Sequence, residues 1–444
     1  MAEHCGYVVK ISELRKHSNA DRLQIATIFG NSVIVSLDTH IGDMGVYFPT
    51  DLQLSEEFCK VNDLVRRKDD HGNQVGGYLD PVKRNIRTMK LRGEVSDGLY
   101  LPITCLAEFT KISTLVVGDT IDVINGHEIC CKYIPHTNLS AGIKAPAIKK
   151  VKINFAPTFY EHVDTAQLAY SLNAFKNGDI VQLTLKMHGT SGRTGYLPLV
   201  KYKKSWFDKL FHRIGKEYHE YGYVTGTRRV VLDATHTGGF YEDNFFREEM
   251  AKKFEGKLHK GEVCYYEIIG FQGLNGAPIM PSVKNSKISD KAFIKQYGEE
   301  TVFSYGCKAE NNYTDEVPCC DVYVYRMTMV NEDGETVEYS PAEIHYRCEQ
   351  IGVKCVPEFE TFVIPNDVNA GEYVMRKVEE YYDGADPIGK THIREGVVAR
   401  ILNRNNFAVY KHKNIYFKIL EGLIKDTALA PDMEEAQEEE NENV

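Results

Sequence analysis

Alternation of apolar and polar residues dominates this chain. In "VQLTLKMHGTSGRTGY", Val181, Leu183, Leu185 and Met187 fall on one face of an extended strand. Gln182, Thr184, Lys186 and His188 fall on the other. The first face reads as core and the second as a wall carrying an amine and an imidazole. Gly189 follows, where the backbone can turn sharply or approach a ligand closely. From Tyr7 to about Val123, short β-rich runs such as "GYVVKISEL", "LQIATIFG" and "NSVIVSL" are broken by Asn, Asp and Gly, which suggests a small barrel. Helical spacing is sparser. Leu168, Leu172 and Phe175 predict a helix over Thr165–Phe175; Phe246, Met250 and Phe254 predict another over Tyr241–Phe254. Trp206, Leu210 and Ile214 mark an amphipathic helix from Ser205, expected to pack on the domain surface. The Pro- and Lys-bearing stretch 141–160 lacks periodicity and marks a boundary. The expected division is a barrel over residues 1–145, a larger α+β domain over 150–425 and a disordered acidic tail over 426–444.

Composition refines this picture in three places. A chain of 444 residues exceeds one ordinary core, in keeping with two domains. No stretch approaches the roughly 20 apolar residues of a membrane helix, and the first residues lack the basic-then-apolar order of a secretory signal. The eleven cysteines include two adjacent pairs, Cys130–Cys131 and Cys319–Cys320, and no CxxC. Zinc ribbons and disulfide scaffolds are therefore disfavoured, and free thiols in a reducing cytoplasmic or nuclear compartment are expected. The net charge of −10 includes seven carboxylates of "PDMEEAQEEENENV", so the rest of the chain carries −3. Basic patches are compatible with that total. Lys83, Arg84, Arg87, Lys90 and Arg92 form one such run, a candidate for backbone phosphate contacts.

Five islands set a charged or phenolic group inside an apolar, strand-like run: Lys186 in "LTLKMHG", Glu267 in "VCYYEIIGF", Tyr325 in "DVYVYRM", Glu395 in "REGVVAR", and Lys411 with Lys413 in "FAVYKHKNIYF". Taken singly, each reads as a solvated edge, a half-buried core residue or a wet sheet face. Together they suggest a site. Lys411 and Lys413 point the same way from one strand, after Phe407 and Val409 on that face, and make a phosphate clamp. Glu267 and Glu395 supply hard oxygens for a hydrated Mg²⁺ or Mn²⁺.

In order, these islands resemble the motifs of the covalent nucleotidyltransferase superfamily of polynucleotide ligases and capping enzymes. Lys186-Met187-His188-Gly189 is similar to its KxDG or KxHG motif, and histidine in the third place resembles the RNA-ligase branch. "GTRRV" resembles the second motif, on Arg228 or Arg229, while Arg193 competes for a substrate role. Glu267 is similar to the third motif, and Tyr325 or Tyr323 to the nucleobase-stacking position. Glu395 matches the fourth motif and Lys411 with Lys413 the fifth. "FYEHVDT" resembles a segment that precedes the lysine motif in two-domain RNA ligases. "ISELRKHSNADRLQIATIFG" and "LRGEVSDGLYLPI" resemble the OB fold of tRNA-binding modules.

The resemblance implies an N-terminal OB barrel followed by an ATP-grasp-like ligase domain of antiparallel sheets with flanking helices. It implies a monomeric ATP-dependent RNA ligase with Mg²⁺ or Mn²⁺ as cofactor. Its substrate would be RNA with 5′-phosphate and 3′-hydroxyl ends, as at a nick in a duplex. Lys186 would be the nucleophile, and Tyr325 would stack on adenine. Glu267 and Glu395 would engage ribose or metal waters, and Arg228 ribose or the RNA end. Lys411 and Lys413 would hold the α-phosphate, beside His188 and Gly189. Arg87, Lys90 and Arg92 would contact RNA from the barrel. A lysine with a reference pKa of ~10.4 is neutral about once in 2,500 at pH 7, so the nucleophile needs help, expected from Lys411, Lys413 and a metal ion. The competing readings are a capping-type guanylyltransferase, a DNA ligase, and a non-catalytic OB-fold RNA-binding protein.

Overall fold

A computed structural model describes residues 4–50, 52–68, 74–133, 155–163, 165–203, 215–232, 245–404 and 406–422. The acidic tail, most of the boundary stretch and the helix expected from Ser205 lie outside these residues, as does the start of the helix expected from Tyr241. The chain divides into two compact units. One gathers the described residues of Met1–Ala145, Asn285–Gln296 and Lys418–Val444, and the other those of Pro146–Lys284 and Tyr297–Phe417.

The first unit is β-rich. Its main sheet runs Leu99–Pro102, Met44–Phe48, Gly6–Lys10, Thr120–Ile121, and a second sheet joins Leu14–Lys16, Leu23–Ile28 and Asn31–Ser36. The three β-rich runs named from the sequence fall on Gly6–Lys10, Leu23–Ile28 and Asn31–Ser36. Val8, Val46 and Phe48 point into one core with Leu52, Leu54, Phe58 and Ile121, each worth about 1.5–3 kcal/mol on burial. The short helix Glu56–Val61 closes this core, capped by Ser55, whose side chain accepts from the Phe58 amide.

Two large sheets and the small pair Val283–Lys284 with Glu300–Thr301 make up the second unit's described sheet structure. The five-stranded one runs Ala166–Gln167, Ala408–Lys413, Gly396–Ile401, Ile180–Lys186, Glu358–Val363. It is antiparallel except at Ala166–Gln167. The larger sheet runs Val231–Leu232, Lys216–Gly226, Thr190–Lys203, Glu262–Gly270, Cys320–Val330, Thr336–Glu338, with Lys354–Cys355 alongside Cys320–Val330. Period-two patterning sorts the faces. Val181, Leu183, Val397, Ala399, Ile401 and Tyr410 pack against the helix Ala370–Glu379 through Ala370, Val374 and Val378. The helices Phe245–Lys252 and Pro341–Ile351 back the larger sheet, burying Phe246, Met250, Ile344 and Cys348 with Phe254 and Tyr266. Pro341–Ile351 starts at a capping box between Ser340 and Glu343.

One expected helix is absent. Thr165–Phe175 is instead a short strand, Ala166–Gln167, followed by two single 3₁₀ turns, Leu168–Tyr170 and Leu172–Ala174. Ser171 breaks the run between the turns, yet Leu168 and Phe175 still reach the core. Apolar spacing here reports burial without a helical backbone. The 38 residues between Lys186 and Thr225 are accommodated by the long antiparallel pair Thr190–Lys203 and Lys216–Gly226.

Candidate active site

The second faces of the two sheets meet at one pocket. Gln182, Thr184 and Lys186 enter it from one strand, Val398 and Arg400 from the next, and Phe407, Val409 and Lys411 from the third. Glu267, Val324, Tyr325, Arg228 and His162 complete the opposite wall. Of the four residues that alternation assigned to the polar face, Gln182, Thr184 and Lys186 line this pocket, and His188 does not.

Strand register sets the chemistry. Lys186 lies opposite Gly396, and Gly396 lies opposite Lys413 on the next strand. Glu395, one residue before this glycine, therefore reaches both amines: its Oε1 accepts from Lys186 Nζ at 2.7 Å and lies 3.1 Å from Lys413 Nζ. Gly396 has φ +151°, and a Cβ there would sit 2.0 Å from the His412 carbonyl oxygen, so a bare α-carbon is required. The Lys186 side chain is 22% exposed and the Glu395 side chain only 2%, so the amine is reachable and its partner is not. Gly189 serves close approach rather than a left-handed turn. A Cβ there would meet the Ile268 carbonyl at 2.4 Å and Glu267 Cγ at 2.8 Å.

The two carboxylates are driven apart. Burial pushes the Glu395 carboxyl up, but Lys186 and Lys413 outweigh it and hold it at about 2. Burial raises Glu267 to about 7; Lys186 opposes this and the Glu395 charge adds to it. Glu395 Oε2 is buried without a hydrogen-bond partner among the described residues. This orphaned anionic oxygen, 3.9 Å from His188 Nδ1, with Glu267 close enough to feel the Glu395 charge, fits a hydrated divalent cation. The surroundings of Lys186 are thus not simply cationic, as the sequence led us to expect: its nearest charged neighbour is Glu395.

His188 is boxed between the rings of Phe303 and Phe417, at 4.6 and 4.8 Å. Burial, against the pull of Glu395, lowers it to about 3, so it is neutral at physiological pH. Its amide donates to Tyr305 Oη at 2.6 Å, which fixes the turn after Lys186.

A β-bulge aims Tyr325 into the pocket. Tyr265 pairs with Arg326 and Tyr266 with Val324, which leaves Tyr325 as the extra residue, and such bulges redirect side chains. Its hydroxyl lies 3.1 Å from Ser191 Oγ, and its ring meets His162 edge-on at 5.0 Å. Tyr323 sits under Lys354 instead, away from the lining. Arg228 lines the pocket whereas Arg229 does not. Arg193 is buried, donating to the carbonyls of Thr227 and Phe159 while lying over the Phe159 ring. It organises backbone and is not open to substrate.

Three residues of this region escaped the sequence reading. His162 belongs to "FYEHVDT" but gave no chemical signal of its own. Arg326 stacks on Tyr265 and Phe407 and chelates Glu338. Arg247 donates to the Ser191 carbonyl, beside the Tyr325 hydroxyl. Arg87, Lys90 and Arg92 belong to the first unit. Arg87 and Arg92 are exposed and Lys90 is half-buried, with Lys90 on the strand Met89–Leu91 and Arg92 in the turn to Glu94–Ser96.

A family model described as an OB-fold domain matches residues 6–103. The solved RNA ligase of Naegleria gruberi superposes over nearly the whole chain. An apo variant matches at 18% identity and TM-score 0.55, covering 95% of this chain and 99% of that one. A variant with ATP and Mn gives 17%, 0.56, and the same coverage. One with AMP and Mn gives 18%, 0.55, covering 94% and 98%. The likeness is one of fold. The expected α+β class with an N-terminal OB module holds. No curated protein matches the sequence, and among the described residues no helix is long and apolar enough to cross a membrane.

Glu267 carries a prediction of its own. Its carboxyl is raised in the folded state, so it favours folding fully below about pH 4.5, and that contribution is lost as pH rises through 7. Glu267→Gln should therefore gain stability relative to the parent between pH 5 and 8, by up to about 3 kcal/mol. Thermal unfolding across that range checks the sign. A variant that loses ground as pH rises would contradict it.

Proposed function

We propose that this chain is an ATP-dependent RNA ligase acting through a lysyl-AMP intermediate on Lys186. The supporting observation is the convergence of an accessible Lys186, Glu267, the bulge-directed Tyr325 and Lys411 on one pocket, with Glu395 joining Lys186 to Lys413 beside it. Lys186 Nζ attacks the α-phosphorus of ATP, a P–N bond forms and pyrophosphate leaves. The 5′-phosphate of an RNA end then displaces the lysine and takes the AMP. Finally the 3′-hydroxyl attacks that phosphate, AMP leaves and the phosphodiester closes.

In this reading Glu395 holds Lys186 beside Lys413 until nucleotide binds. Lysine donating to a carboxylate does not attack, so on entry of the triphosphate Lys186 must leave Glu395 to Lys413 and give up a proton to solvent before the P–N bond forms. Tyr325 stacks on the base, with His162 bracing its ring. Lys411 and Lys413 bind the α-phosphate, Arg228 binds ribose or the RNA end, and His188 with Gly189 shapes the turn beneath the phosphates. Glu267 and Glu395 would hold Mg²⁺ or Mn²⁺, which supplies charge neutralisation at the phosphates.

Intact mass spectrometry after incubation with ATP and Mn²⁺ tests the proposal: one AMP should be added. A GMP adduct from GTP would favour a capping-type enzyme, and sealing of a DNA nick in preference to RNA would favour a DNA ligase. No adduct with either nucleotide would sink the enzymatic reading.

On the OB unit, Arg87, Lys90 and Arg92 would grip RNA by its backbone. Neutralising all three should lower sealing by roughly tenfold, flatten its salt dependence and leave AMP loading intact. Equal loss of both activities would remove the barrel from this role.

A further inference from the structure

All eleven cysteines are free, and two of them meet at the pocket wall. Cys348 is buried on the helix Pro341–Ile351, and Cys355 is half-buried on the strand Lys354–Cys355. The chain reverses tightly between them. The amides of Gly352 and Val353 both donate to the Cys348 carbonyl, at 2.8 and 3.0 Å. Cys355 Sγ comes to 3.9 Å from the Ile344 carbonyl, one helical turn before Cys348. Cys348 belongs to the core cluster beneath the larger sheet, and Cys355 packs against that same cluster. Cys355 also lines the pocket, with Val324, Val356, Pro341, Ile344 and His345. Its own strand is paired with Val324, next to Tyr325.

We propose that Cys348 and Cys355 form a reversible disulfide under peroxide and thereby control nucleotide entry to the pocket. The half-buried partner is the one that meets oxidant, and the buried one resolves it. Cys355 sulfur, as thiolate, attacks peroxide. An S–O bond forms, the O–O bond breaks, and the departing hydroxide takes a proton to leave as water. Cys348 sulfur then attacks the resulting sulfenic acid, whose hydroxide accepts the thiol proton and leaves as a second water. Two electrons pass from the sulfurs to the peroxide. The Cys348 thiol favours the Cys355 thiolate, against the effect of its partial burial. Closing the sulfurs to about 2.05 Å draws the strand edge toward the helix and alters the wall that Ile344, His345 and Val356 share.

The effect on nucleotide rests on the ligase reading; the disulfide itself does not. By reciprocity, whatever factor oxidation takes from ATP affinity, bound ATP must take from ease of oxidation. Both should be roughly fivefold or more.

The test treats the full chain with graded hydrogen peroxide, blocks residual thiols with N-ethylmaleimide and maps peptides without reductant. A Cys348–Cys355 cross-linked peptide should form before the other cysteines react. Dithiothreitol should remove it, and ATP with Mn²⁺ should delay it. The apparent KM for ATP in AMP loading should rise with its yield and recover on reduction. Cys348→Ala should load AMP normally, form no cross-link and leave Cys355 trappable as sulfenic acid by dimedone. Both thiols remaining alkylated while other cysteines oxidise would overturn the proposal, as would a cross-link that leaves ATP use unchanged in a protein that loads AMP. If no AMP loads under any condition but the cross-link forms, the ligase reading fails and the thiol pair stands.

Discussion

Replacing Lys186 by arginine abolishes the covalent AMP adduct and lowers sealing from ATP by roughly 10⁴-fold or more, while leaving stability nearly unchanged. The guanidinium keeps a positive partner for Glu395, now paired to Lys186 at 2.7 Å, yet offers no nucleophile at neutral pH. Lys186→Ala shares the catalytic loss and adds a structural one, because Glu395 keeps only Lys413 at 3.1 Å. Both variants should still join a strand whose 5′ end already carries AMP, since the last step needs no lysine adduct. Intact mass, thermal unfolding and sealing of a pre-adenylylated RNA nick together separate these outcomes. An ATP-dependent adduct surviving in either variant would place the nucleophile elsewhere.

Glu395→Gln should be the most damaging single change that preserves shape. It leaves two ammonium groups facing each other without the anion they share. Breaking such a buried set by removing one partner costs about 3–5 kcal/mol. AMP loading should fall by roughly 10²–10³ as preorganisation is lost. The pH sign is opposite to that at Glu267. The Glu395 carboxyl is depressed to about 2, so its contribution is complete above about pH 4.5 and disappears as pH falls through 2. The stability gap between parent and variant should therefore be constant near neutrality and shrink in acid. A gap independent of pH from 3 to 8 would mean that Glu395 does not carry charge in the folded protein.

The contrast between these two carboxylates shows what the sequence could and could not reveal. Alternation exposed Lys186 and Lys411, because each faces the pocket from a strand whose other face is core, whereas Glu267 shows only as a charge inside a continuous apolar run. Arg193 shows the limit. Its type and position suited a substrate contact, but only tertiary packing reveals that two carbonyls already occupy it. Tyr325 was placed by likeness rather than by period, since a bulge interrupts the count and no local signal marks one. The pairing of Lys186 with Glu395 joins positions more than two hundred apart in sequence, and no local pattern encodes a distance of that kind. The helix expected over Thr165–Phe175 and absent from the structure has the reverse cause. Apolar spacing reports burial, and two successive 3₁₀ turns bury Leu168 and Phe175 as well as a helix would.

The alignment of Lys186, Gly396 and Lys413 across three neighbouring strands has a consequence for how this domain can vary. Length changes in the connection between Gly396–Ile401 and Ala408–Lys413 are harmless as long as the ladder stays in step. A slip of one residue in Ala408–Lys413 would turn Lys411 and Lys413 into the hydrophobic interior and deliver Tyr410 to the pocket. Insertions tolerated at the hairpin tip and rejected within the ladder would be its experimental trace.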